Sequence, residues 1–101
     1  MSGKQVKRLV RMEDIADQAR QAVDALTAAA EQYRAIQKGL AELESYYSSP
    51  AWKEDFQASE EGRLPADLKC GVLAEDTVYD LLSERDELMR ELEQLTAEEN
   101  G

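Results

Sequence analysis

Met12, Ile15, Ala19, Ala22, Leu26, Ala29, Tyr33, Ile36, Leu40, Leu43 and Tyr47 recur at alternating steps of three and four. Five successive heptads with an apolar or alanine residue at both seam positions describe a long amphipathic helix. A strand alternates at every second residue, so the same set would be scattered over both faces of a sheet. Leu9, Ala16, Val23 and Ala30 widen the stripe along one flank. No proline precedes Pro50, and Gly39 is the only glycine inside the segment. A helix over about residues 6–47 is therefore predicted, roughly 60 Å long at the α-helical rise.

"SSPAW" supplies the first full stop. Pro50 keeps the residue before it out of the helical region, and with Ser49 as cap it opens a short helix, predicted over 50–58. Trp52 and Phe56 share one face of that helix. A connection over 59–74 contains the breakers Gly62, Pro65 and Gly71, with Leu64, Leu68, Val72 and Leu73 as apolar points to pin it. A second long helix is predicted over 75–98, where Val78, Leu81, Arg85, Leu88, Leu92 and Leu95 again alternate three and four. Glu75 and Asp76 suit the positive end of its dipole. Leu73 and Val78 have the spacing of a hydrophobic staple around a weak cap at Ala74.

Two apolar seams and one connector predict an all-α fold in a single domain, residues 1–101. It is a long antiparallel helical hairpin, coiled-coil-like, with the short helix and an ordered loop packed at its closed end. Tyr46, Tyr47, Trp52 and Phe56 would converge there. Large rings fill the gap where helices taper apart, or line a groove for a ligand or peptide.

Charge narrows the function classes. The chain carries a net −10 over 101 residues, and phosphate binding needs clustered cations, so nucleic acid is not expected as a partner. Lys4, Lys7, Arg8 and Arg11 give the first twelve residues +4 and leave −14 for the rest. Such an end is expected to be a solvated tail, with a membrane surface or acidic partner as the alternative. "MSGKQVKRLVRM" lacks the apolar stretch of a secretory signal, and no run approaches the roughly 18 apolar residues of a membrane span. The single cysteine makes no internal disulfide, which fits a reducing cytoplasm.

The chain has no histidine. That removes imidazole metal ligands, the commonest general acid–base, and the Ser/His and Cys/His nucleophile pairs. Cys70 sits beside Lys69 but has no partner base in the sequence pattern. Neighbouring acids such as Glu54 and Asp55, Glu60 and Glu61, or Asp86 and Glu87 point about 100° apart on a helix and seldom share a proton or metal. Neither a calcium loop nor a Gly-rich phosphate loop is present. No catalytic, cofactor or metal site is expected, and no small-molecule substrate is evident.

The stretch "LESYYSSPAWKEDFQASEEGRLPADLKCGVLAEDTVYDLL" has a tyrosine pair, a Trp, an acidic–Phe step and a specific central run. That run is Gly62, Leu64, Pro65, Asp67, Leu68, Lys69, Gly71, Val72, Leu73, Glu75 and Asp76. It resembles the small bacterial family called domain of unknown function 4298, over roughly Met12 to Leu95. The resemblance implies a helical bacterial protein of unassigned activity, with no catalytic residues to carry over. This chain departs from the family pattern at Cys70, where members tend to have arginine, and at Ala74, where they tend to have a serine cap. A thiol role for Cys70 is accordingly not implied.

Unequal helix lengths supply the functional expectation. The last helix, about 24 residues or 35 Å, would cover the first from about Tyr47 back to Ala22 and leave the stripe from Leu9 onward unmated. Exposed apolar patches of this kind mark interfaces. A homodimer, or docking of a partner helix, is expected through Leu9, Met12, Ile15, Ala16, Ala19 and Val23. Asp67, Lys69, Glu75 and Asp76 form a candidate rim around the aromatic cluster, or else serve only turns and a helix start. Arg85, the charged member of the last seam, is expected to pair with an acid or to snorkel outward. The leading function is a non-enzymatic, self-associating protein-interaction module. The alternative is a small acidic chaperone or inhibitor for a basic client, and a carboxylate- or thiol-dependent enzyme ranks third.

Overall fold

A computed structural model describes residues 2–101. They form four α-helices, α1 (Gly3–Ala35), α2 (Gln37–Tyr47), α3 (Pro50–Glu60) and α4 (Thr77–Asn100), with a 3₁₀ turn at Gly71–Leu73. No strand occurs among the described residues. The chain divides into two compact units, one up to Leu40 and one from Ala41 onward.

In the first unit, α1 begins at Gly3, several residues before the predicted start. Ser2 explains it. Its hydroxyl accepts from Gln5 N–H at 3.2 Å, and the Gln5 side-chain oxygen takes the Ser2 N–H at 3.1 Å. This reciprocal capping box satisfies two amide donors that a helix start otherwise leaves orphaned. The cations Lys4, Lys7, Arg8 and Arg11 consequently lie on a regular helix and not on a loose tail.

The predicted helix over 6–47 is interrupted at one residue. Ile36 (φ −90°, ψ −1°) donates its N–H to Gln32 O and Arg34 O. Gln37 turns its side-chain amide onto Tyr33 O at 2.9 Å, so a side chain enters the ladder of backbone bonds there. The ladder resumes at once, with Leu40 N–H donating to Ile36 O at 2.8 Å.

The second unit contains the turn of the hairpin. Tyr47 hydroxyl donates to Glu75 O at 3.0 Å, and Arg85, ten residues on, meets Glu44 at 2.9 Å, three residues back. Partner numbers rise as the others fall, so α4 runs antiparallel to the end of α2. The fold is the all-α helical hairpin that the seams predict. Ser49 (φ −97°, ψ 159°) caps α3, with Pro50 in its first turn. The helix ends in a Schellman turn: Arg63 N–H reaches Ala58 O at 2.9 Å and Gly62 N–H reaches Ser59 O at 3.1 Å. Gly62 there has φ +69°, a left-handed conformation that costs a residue with a Cβ.

The start of α4 needs a correction. Ala74 is not its cap: it is extended (φ −70°, ψ 133°) and closes the 3₁₀ turn by donating to Gly71 O. The cap is Asp76, whose side chain makes no capping bond, so Glu75 and Asp76 precede the helix. The core of this unit is Ala58 from α3, Leu73 from the 3₁₀ turn and Val78 from α4. The 3₁₀ turn packs against both helices.

Candidate functional site

The aromatic residues lie where the short helix meets the turn. Ser49 sets the geometry, since its hydroxyl donates to Tyr46 O at 2.6 Å and accepts from Trp52 N–H at 3.4 Å. One serine therefore ends one helix and starts the next. Tyr47 meets Trp52 edge-on, with centroids 5.5 Å apart and planes at 78°. Trp52 stacks on Phe56 at 5.3 Å and 17°. Both are favoured arrangements of ring quadrupoles.

Each ring with a polar handle uses it inside the unit. Trp52 Nε1–H donates to Val72 O at 2.9 Å, Tyr47 hydroxyl to Glu75 O, and Tyr46 hydroxyl to Asp55 Oδ2 at 2.6 Å. The Asp55 acceptor favours the protonated phenol, and with burial and the Asp55 charge it pushes the Tyr46 hydroxyl from 10.0 up to about 12. Two of these bonds hold main-chain carbonyls of the loop that would otherwise face water. The cluster thereby ties the 70–76 segment to α2 and α3.

Tyr47 and Trp52 also form one wall of a shallow depression of about 530 Å³, completed by Ser48, Lys53, Glu75, Asp76 and Tyr79. The predicted rim divides here. Glu75 and Asp76 border the depression, whereas Asp67 and Lys69 lie outside its lining on the exposed turn after Pro65. Phe56 is outside it as well. Ser48, Lys53 and Tyr79 are the residues that sequence reasoning missed. Each adjoins a singled-out residue, Tyr47, Trp52 or Val78.

Arg85 takes the acid-pairing option. Its guanidinium meets Asp86 Oδ1 at 2.7 Å and Glu44 Oε1 at 2.9 Å. Hydrogen bonds to Asp86 and Glu44 raise its already high pKa. Cys70 donates weakly to Leu68 O at 3.4 Å. Among the described residues no group of three or more His, Cys, Asp or Glu side chains is placed to hold a metal ion. None of the described helices is long and apolar enough to cross a membrane.

The second candidate surface is α1 itself. It has 33 residues and none is buried. Leu9 is 54% exposed, Met12 49%, Ile15 44% and Val23 52%, with Ala16 and Ala19 exposed between them. The six residues of the predicted interface thus form one uncovered apolar stripe.

These features define an all-α helical hairpin, closed by an ordered aromatic turn and carrying an open apolar helix face. The family model for Domain of unknown function (DUF4298) matches residues 9–95, and the chain belongs to that family. The resemblance carried by the Gly62–Asp76 run is therefore correct. No curated protein and no solved structure matches the chain.

Proposed function

We propose that this protein is a non-enzymatic interaction module of the cytoplasm that self-associates through the amino-terminal half of α1. One observation carries the reading: a 33-residue helix buries no residue while Leu9, Met12, Ile15 and Val23 stand in line on its surface. A helix this long draws most of its stability from packing an amphipathic face, because propensity alone leaves isolated helices marginal. Covering the stripe removes its apolar area from water, at roughly 25 cal/mol per Å². Closed two-fold pairing is the commonest solution for identical chains.

Light scattering tests it. The parent is expected at twice 11.4 kDa, and Leu9→Glu combined with Ile15→Glu at the monomer mass. A monomeric parent at high concentration overturns the reading.

The net charge of −10 favours a second reading, an acidic chaperone or inhibitor of a basic client. Its complex should dissociate as added salt shortens the screening length to a few ångströms. Retention of a basic client at high salt would exclude it.

A further inference from the structure

We propose that the α1 stripe pairs with a second copy of itself antiparallel, in the register that places residue i level with residue 35 − i of the partner. The proposal rests on the self-association reading above and adds its orientation and register. Leu9, Met12, Ala16, Ala19, Val23 and Leu26 follow one another at steps of three and four. Leu26 is 58% exposed like the rest, so these residues form an open seam of their own.

In an antiparallel pair the two seam positions face each other in layers. This register gives Leu9 against Leu26, Met12 against Val23, and Ala16 against Ala19. Bulky layers then lie at both ends and small ones at the two-fold axis, where the backbones can approach closely. The seam is complementary to itself.

Charge selects the orientation. The flanking positions that meet between the Met12 and Ala16 layers are Glu13 of one copy and Arg20 of the other, and symmetry repeats the pair. Arg20 is free to take part, since its bond to Asp24 is long at 3.5 Å and both side chains are about two-thirds exposed or more. By segment, the cationic stretch with Lys4, Lys7, Arg8 and Arg11 lies along the partner's residues 24–31, which carry Asp24 and Glu31 and no cation. A parallel pair instead brings the two cationic stretches alongside each other, and likewise the two stretches with Glu13, Asp14 and Asp17. Its Arg8–Glu13 pairs act against that repulsion between like-charged segments.

The test uses the full chain with Cys70→Ser, carrying Leu9→Cys or Leu26→Cys. Mild oxidation of a mixture should give disulfide-linked dimer containing one copy of each, with little from either variant alone. Residues 9 and 9 would lie 17 residues apart along the pair, about 25 Å. Self-linking of Leu9→Cys shows a parallel pair and overturns the proposal. So does the lack of any cross-link in a sample that light scattering shows to be dimeric. A parent that is monomeric fails the self-association reading itself, and the register falls with it. Charge reversal supplies an independent arm that leaves the seam intact. Glu13→Arg or Arg20→Glu alone should weaken dimerisation on the order of tenfold, and the two together should restore it. Dimers indifferent to all three would refute the register even if cysteine substitution had disturbed packing.

Discussion

Leu9 and Val78 are both apolar residues of a periodic helical stripe, yet Leu9 is 54% exposed and Val78 1%. Neighbourhood accounts for the difference. Val78 begins a helix whose approach is held by long-range bonds, Trp52 to Val72 and Tyr47 to Glu75, spanning 20 and 28 residues. Side-chain bonds within α1 connect residues three or four apart, as in Gln18 to Asp14 and Thr27 to Val23. Periodicity creates a face that wants cover, but cover itself requires another element brought to it. The hairpin turn finds that element in its own chain, whereas the face of α1 stays exposed.

The largest expected effect lies in the turn. Trp52→Ala removes the ring between Tyr47 and Phe56 together with the bond to Val72 O, and should cost about 3 kcal/mol in urea unfolding followed by circular dichroism. A loss below about 1 kcal/mol would mean the cluster does not organise the turn. Next comes Gly62→Ala, which forces a Cβ into φ +69° and should cost about 1 kcal/mol by the same measurement.

Alkaline titration reads the turn in another way. The Tyr46 pKa is raised in the fold, so its stabilisation is whole below pH 10.0 and is lost as pH climbs through about 12. Phenolate absorbance should show one tyrosine titrating late, and Asp55→Asn should return it toward its ordinary range. Four tyrosines titrating together would remove the Tyr46–Asp55 bond from the account.

The smallest effect sharpens the contrast. Trp52 is the chain's single tryptophan and reports on the turn alone. Leu9→Glu with Ile15→Glu, which is expected to abolish association, should leave the unfolding free energy seen by Trp52 emission unchanged within about 0.5 kcal/mol. A larger shift would show that the two regions do not stand independently.

Much of the fold could be read locally because its signals are local. The Ser49–Pro50 start of α3 follows from backbone sterics and one hydroxyl, and the heptads of α1 and α4 from helical period. The early start of α1 was equally legible, in the spacing of Ser2 and Gln5, although the periodic stripe begins later and draws the eye from it. The break at Ile36 was harder to see: it depends on whether Gln37 extends into water or folds back on Tyr33 O, two states of similar energy. At α4, sequence offered the acids Glu75 and Asp76 as a first turn. The 3₁₀ turn at Gly71–Leu73, stabilised by burying Leu73, delays the helix to Thr77. The candidate site divides the same way. Its aromatic members were evident from clustering, whereas Ser48, Lys53 and Tyr79 join them only through the packing of α3 and α4 against the turn.

By itself, then, the sequence determined helix types, the place of the reversal and which faces are apolar, because sterics, capping and period act over a few residues. Tertiary structure decided that Arg85 meets Glu44, that Trp52 holds Val72 O and that Asp67 and Lys69 stand apart from Glu75 and Asp76. Those outcomes depend on distances between segments tens of residues apart, and such distances are set by packing the whole turn at once.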